Sequence, residues 1–308
     1  MERPSRIKVW APATVANLNV GFDALGCALT TPGEFMEFTR TEGGRVRLVN
    51  GPGTELPLEV DQNVAGKAAS SLLNALGNPF GVEIVVTKSM LPGSGIGSSS
   101  ASAVAAVVGV DALAQSGMKP EELLPYALDG EEVASGARHA DNVAPALFGG
   151  LSLIDPTGKV VKLPVPQSWH IVVLHPQVVI KTAESRAALP THVPLSLAVN
   201  QAAWLGKFVH ELHAGNELEA LYALEDLLVG PHRTPLMPHW EDCKRAALEE
   251  GARVGGISGS GPSSFWICRT EEEATSVAEA LESTMKGHHM AHELHLTQPS
   301  EQGAHVVS

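Results

Sequence analysis

Apolar positions divide the chain into an opening part with the period of strands and a later part in which strands alternate with helices. Residues 7–10, 35–40, 45–49 and 82–88 are short alternating or β-branched runs set apart by Gly and Pro, the pattern of strands. Between them, residues 63–76 place Val64, Ala68, Leu72 and Ala75 or Leu76 on one helical face, and Gly77 with Pro79 stops the helix. Residues 98–115 are rich in Ala and Val, carry no charge before Asp111 and open on serines suited to capping, which predicts a buried helix.

Beyond residue 149 the layout changes. Strands are expected at 151–154, 160–163 and 170–174, followed by helices at 194–214, 217–228 and 238–250. Runs at 253–257 and 264–268, a helix at 271–285 and a strand at 291–297 then form the β-β-α-β series of an α+β sandwich. Two domains are expected, 1–165 and 166–308, and no internal repeat or low-complexity tract interrupts them. The acidic run Glu271–Glu273 falls at a helix start, where the helix dipole favours it.

Composition narrows the function. The chain has 308 residues, 44% of them hydrophobic, enough for a substantial core. Lys and Arg total 21 against 34 Asp and Glu, and the net charge of −13 repels nucleic acid and anionic membrane surfaces. No run approaches the roughly 18 apolar residues of a membrane span. The cysteines, Cys27, Cys243 and Cys268, lie far apart without metal-ligand spacing, which fits a reducing cytoplasm. An anionic ligand such as a nucleotide would need local attraction from backbone amides, a helix N-terminus, a few Arg or Lys, and Mg2+.

The segment LPGSGIGSSSA at 91–101 offers such a place. Glycines at 93, 95 and 97 allow positive φ, so consecutive amides can turn towards one anion, and the helix that follows aims its own amides there. No Gly-Lys-Ser/Thr closes the loop as in Walker A, and Ser98 stands at the third glycine of a dinucleotide fingerprint. A plain glycine turn with a serine cap also fits. A second segment, GGISGSGPSS at 255–264, lies between two predicted strands and is longer than a tight turn requires, although Gly-Ser-Gly hairpins are common.

These two loops, with APATVANLNVGFD at 11–23, resemble the three motifs of the GHMP kinases, small-molecule kinases named for galacto-, homoserine, mevalonate and phosphomevalonate kinases, and the resemblance spans nearly the whole chain. The opening is similar to the homoserine-acting branch, A-P-A-S/T-x-A-N-L-G-x-G-F-D, with Asn19 in place of its glycine. GEEVASGARHADNVAPA at 130–146 resembles the same branch, although its Glu, His, Asp and Asn also suit helix caps and buried polar contacts.

The resemblance implies an α+β fold of two domains, the first with a left-handed βαβ crossover and the second ferredoxin-like. It implies phosphoryl transfer from ATP, with Mg2+, to the alcohol of L-homoserine in threonine biosynthesis. Leu91, Pro92, Gly93, Ser94, Gly95, Ile96, Gly97, Ser98, Ser99, Ser100 and Ala101 would hold the nucleotide with Gly259 and Gly261. Asn63 would meet the adenine edge, or cap a helix, and Lys88 would reach phosphate, or end a strand. Glu131 with Ser99 or Ser98 supplies hard oxygen ligands for the metal. Arg186 and Arg233 match the arginines that read the substrate carboxylate, and Asn17, Asp23, His139 and Asp141 match the positions around its amino and hydroxyl groups. Asp23 is the base if one is used, with Asn17 and Thr182 completing the catalytic set. The resemblance leaves a homodimer open. His288, His289, His292 and His295 alternate irregularly near the end of the chain, a pattern of solvated histidines before that of a metal site.

Overall fold

A computed structural model describes residues 4–180 and 182–308, without the side chains of Thr182 and Ala183. The described residues form two sheets. The first is built from β1 (Arg6–Ala16), β2 (Leu25–Thr41), β3 (Val46–Asn50), β4 (Gly81–Thr87), β5 (Leu151–Ile154), β6 (Val160–Leu163) and β11 (His305–Val306). Its order is β11-β1-β2-β4-β3, and β5 pairs with both β2 and β6. All pairs are antiparallel except β3 with β4, which run parallel on either side of α1 (Val64–Ala75).

The buried helix expected after the glycine loop is α2 (Ser98–Ala114). Apolar on every side, it lies between the sheet and its neighbours α1 and α3 (Pro120–Ser135), while α4 (Ala140–Phe148) packs on β1 and β2. Neither α3 nor α4 stands out in the sequence. α3 carries Pro125 and α4 carries Pro145 in their interiors, and α3 ends in the polar stretch that reads as loop. β2 is also far longer than its alternating run, because its first residues have both faces buried and lose alternation.

The second sheet has the order β10-β7-β9-β8, from β7 (His170–Pro176), β8 (Val254–Ile257), β9 (Ser264–Cys268) and β10 (His292–Thr297), all antiparallel. Numbered along the chain this is 4-1-3-2, the ferredoxin-like order the resemblance implies. Between β7 and β8 the chain runs through α5 (Thr182–Ala187), α6 (Leu195–His213), α7 (Glu217–Tyr222), α8 (Gly230–Arg233) and α9 (Trp240–Glu249). Helix α10 (Glu271–Gly287) follows β9, capped by the Thr270 hydroxyl accepting from the Glu273 amide.

The expected division at 165/166 falls in the β6–β7 connection, but the tail recrosses it: β11 pairs with β1, an element absent from the sequence reading. One core also crosses it, joining Val9, Phe38 and Ile84 to Trp169, Phe208 and Phe265. A smaller core of Val172, Trp266, Leu281 and Met285 lies on the other side of the second sheet. Cys27, Cys243 and Cys268 are buried free thiols whose pKa values burial pushes up. No helix among the described residues is long and apolar enough to cross a membrane.

Candidate active site

The glycine loop sits where β1, α2 and the β8–β9 hairpin meet. Gly97, at φ 71°, caps α2, and a Cβ there would lie 2.1 Å from the Thr14 hydroxyl. At Gly95, φ 84°, a Cβ would meet the carbonyls of Ser258 and Gly261, each at 2.8 Å. The two glycine segments are thus packed backbone to backbone, and the Ser258 hydroxyl donates to the Gly95 carbonyl at 2.6 Å. The first α2 backbone bond runs from the Ala101 amide to the Gly97 carbonyl, so the amides of Ser98, Ser99 and Ser100 precede the hydrogen-bonded ladder at the positive end of the helix. The Ser94 hydroxyl is buried in the loop without a partner, a group a ligand could satisfy.

Serines of the first turn diverge. Ser99 and Ser100 donate to the Glu131 carboxylate at 3.1 and 2.9 Å. Burial pushes Glu131 up to about 7 against those two hydrogen bonds. A buried carboxylate whose protein partners are neutral hydroxyls suits a divalent cation, and Ser99 with Glu131 offers the hard oxygens for Mg2+. Ser98 turns away, its hydroxyl lying 3.1 Å from Glu34 Oε1 and 3.0 Å from the Met90 carbonyl, so the alternative of Ser98 beside Glu131 is not the geometry adopted.

Lys88 is likewise engaged within the protein. Its ammonium pairs with Glu34 and donates to the Ser98 carbonyl and the Ser102 hydroxyl, both at 2.8 Å. Burial raises the Glu34 carboxyl and lowers the Lys88 ammonium, while their mutual contact opposes both. Asn63 takes the capping option, its Oδ1 accepting from the Gly66 amide at 3.1 Å while its Nδ2 donates to the Pro57 carbonyl at 2.8 Å. Both residues nonetheless line a cavity of about 280 Å3 with Leu56, Pro57, Val64, Ser99 and Glu131, a part-apolar recess beside the loop of the kind that takes a base and ribose. Ile96 and Ala101 point into the core, and Gly261 contacts Met237; these three support the loops.

Across Glu131 lies a second cavity of about 120 Å3, lined by Asn17, Asp23, His139, Asp141, Arg186 and Arg233 on one side and by Gly93, Ser94, Gly95, Gly97, Ser99 and Gly259 on the other. Between β1 and β2 the chain turns through Asn17, Leu18, Asn19 and Asp23, all non-glycine residues at φ between 43° and 70°. Such strain concentrates at functional sites. Asn17 holds the turn, donating to the Gly259 carbonyl at 2.9 Å and accepting from the Asp23 amide at 3.0 Å. Arg186 Nη2 donates to both Asp23 oxygens at 3.1 Å and lies 3.2 Å from His139 Nε2. Arg233 is only 3% exposed and donates to the Ser185 and Gly259 carbonyls at 3.2 and 2.9 Å. Burial pushes Asp141 up to about 7, with Asp23 adding to the rise. Thr182 begins α5 close in sequence to Arg186, but its side chain lies outside the described residues.

Sequence reasoning missed Glu34 and Phe22. Phe22 puts its ring 5.6 Å from the Arg186 guanidinium and 5.1 Å from that of Arg233, so one aromatic face region accommodates two like charges. Glu34 shares the inward phase of β2 with Met36 and Phe38, and Lys88 continues the inward phase of Val82, Ile84 and Val86 beyond β4. Extending the 35–40 run by one position would have shown an inward Glu, and the 82–88 run already ends on the inward Lys.

The terminal histidines do not converge. His292 faces the Met290 carbonyl and His295 faces Glu293. His288 does join His239 and Asp242, but its ring stacks on that of His239 at 3.6 Å and 10°, so their in-plane lone pairs run parallel instead of meeting at one ion.

Known proteins match this arrangement. Residues 63–150 match the GHMP kinases N terminal domain, and residues 196–287 match the GHMP kinases C terminal domain. A homoserine kinase of Xanthomonas campestris pv. campestris is 40% identical over 282 residues, 91% of this chain and 87% of that protein. One of Pyrococcus furiosus is 36% identical, covering 90% of this chain and 94% of its own length. The crystal structure of homoserine kinase from Cytophaga hutchinsonii superposes with a TM-score of 0.94 at 37% identity, over 100% of this chain and 99% of that one. With both family domains present in order and relatives matched along nearly its full length, the chain belongs to the GHMP kinase family.

Proposed function

We propose that the chain is a homoserine kinase, which transfers the γ-phosphoryl group of ATP to the hydroxyl of L-homoserine and yields O-phospho-L-homoserine and ADP on the route to threonine. The observation that carries this reading is the gathering of Asn17, Asp23, His139, Asp141, Arg186 and Arg233 on one small cavity opposite the glycine loop. An amino acid bearing a primary alcohol needs a guanidinium for its carboxylate and acceptors for its ammonium, and that cavity offers both. The relatives named homoserine kinase along nine-tenths of the chain support it.

In this reading the loop amides and the N-terminus of α2 receive the phosphates, and the recess at Asn63 takes the nucleoside. Glu131 and Ser99 would hold Mg2+, which supplies positive charge against the triphosphate. Arg233, held by the Ser185 and Gly259 carbonyls, presents a fixed guanidinium to the substrate carboxylate, and Arg186 adds a second, more exposed one. Asp23 and Asn17 orient the hydroxyl. The hydroxyl oxygen bonds to the γ-phosphorus as the bond to the β-bridging oxygen breaks, and in a loose transition state its proton can leave late, so positioning outweighs a strong base. Three buried thiols suit a reducing cytoplasm.

ADP release measured with homoserine, serine, threonine, mevalonate and galactose tests the assignment. Homoserine is expected to give the highest kcat/KM, and ADP release that does not depend on homoserine would overturn it.

A further inference from the structure

We infer that Glu34, which lies beneath the glycine loop and lines neither cavity of the cleft, is a positioning residue for nucleotide binding: with Lys88 it fixes the first turn of α2. The inference rests on the nucleotide reading of residues 91–101. Glu34 is 0% exposed, at the middle of β2, and its carboxylate takes Lys88 and the Ser102 hydroxyl, with the Ser98 hydroxyl 3.1 Å away. Lys88 has three N–H groups, and Glu34, the Ser98 carbonyl and the Ser102 hydroxyl engage all three.

Ser98 and Ser102 stand four residues apart, one above the other on α2. The ion pair therefore grips the helix at the carbonyl of its first residue and at the hydroxyl of its second turn, just where the free amides of Ser98, Ser99 and Ser100 are presented. An enclosed carboxylate is costly to keep charged, and a hydrophobic pair of similar size is a common replacement for a buried ion pair. Here the pair gives directional hold on the helix start, which an apolar pair would not. It also leaves the region neutral, so phosphate recognition falls to the amides and not to the charge of Lys88.

The test uses the full chain with Glu34→Gln, Ser102→Ala, Lys88→Met and the double variant Glu34→Gln/Lys88→Met, which removes both charges together. Glu34→Gln is expected to raise KM for ATP roughly tenfold and Ser102→Ala about threefold, with KM for homoserine changed less than about twofold in each, a split that general loosening of the fold would not give. The double variant is expected to raise KM for ATP no more than Lys88→Met alone, because the two residues act as one unit. An unchanged KM for ATP in Ser102→Ala, or equal rises for both substrates in the variants that fold, would overturn the inference. Should Glu34→Gln not fold, Ser102→Ala and the double variant still decide it. A parent protein that does not bind ATP would instead sink the nucleotide reading.

Discussion

The two sides of the cleft are built in different ways. The proposed phosphate side is built from backbone amides, three glycines at positive φ and carboxylates sealed within the first domain's helices and sheet. The proposed acceptor side is built from side chains brought from the β1–β2 turn, α4, α5 and α8, with the half-exposed Asp23 and Arg186 paired with each other. In the proposed reading, the first kind of site would take a group common to all nucleotides. The second, assembled across the domain junction, would take one small molecule. Substitutions should separate the two by which substrate's KM moves.

The largest effect is expected at the hinge between the sides. Glu131 lies on both cavities and is the proposed metal ligand, so Glu131→Gln should lower kcat by about 10^3, the scale of losing an electrostatic stabiliser at a transferring group. Its buried form should stay folded, since the neutral amide removes a charge that burial already disfavours. A circular-dichroism melt checks folding, and added Mg2+ should raise the melting temperature of the parent but not of the variant. A variant with undiminished kcat would show that the metal is held elsewhere.

Next comes the pH dependence of stability without divalent cations. Asp141, raised from 3.8 to about 7, and Glu131, raised from 4.5 to about 7, bind protons more tightly folded than unfolded. Their stabilising protonation is complete below the unfolded values, near 4, and is lost as pH rises to about 7, so unfolding free energy should fall across that window. Asp141 contributes on the order of 4 kcal/mol to the fall. Urea titrations between pH 4 and 8 should show a clearly shallower slope for Asp141→Asn, and identical slopes in parent and variant would refute the assigned burial effect.

Within the acceptor side, Arg233 and Arg186 should differ. Arg233 is buried and fixed by two carbonyls, whereas Arg186 is 44% exposed. Arg233→Lys should lower kcat/KM for homoserine about 100-fold, because a point charge cannot reproduce the guanidinium's several directed bonds. Arg186→Lys should cost nearer tenfold, since an exposed ion pair is screened by water. Equal losses would remove the distinction between a buried and an exposed arginine.

The phosphate side was largely legible in the sequence because glycines and a charge-free helix are local signals, and α2 begins at Ser98 as its serine run predicts. The four strands of the second sheet were likewise readable as runs, while their 4-1-3-2 order came from the resemblance. What stayed hidden was non-local. The Glu34–Lys88 pair spans 54 residues, and the placement of Phe22 between Arg186 and Arg233 depends on three separate elements. The tail strand β11 is two residues long and is defined only by its partner β1. Motif resemblance supplied the acceptor residues, since nothing in the spacing of Asp23 and Arg186 foretells that they touch.

Asn19 is where the chain departs from the motif's glycine, and it joins the two domains without entering the acceptor cavity. Its Nδ2 donates to the carbonyls of Leu224 and Gly255, each at 3.0 Å, so a turn of the first domain is tied to α7's exit and to β8. Asn19→Gly deletes both bonds, each worth about 1 kcal/mol net. Two effects offset part of that loss. Glycine tolerates φ 59° without strain, and water can reach the abandoned carbonyls from the cavity of about 260 Å3 that Asn19 lines. A net destabilisation of about 1 kcal/mol is therefore expected in urea, with KM for homoserine raised about two- to threefold because β8, which holds Gly255, leads to Gly259, whose carbonyl holds Asn17 and Arg233 of the acceptor wall. KM for ATP should not move. A rise in KM for ATP equal to that for homoserine would mean that the tie holds the whole cleft and that its two sides are not independent.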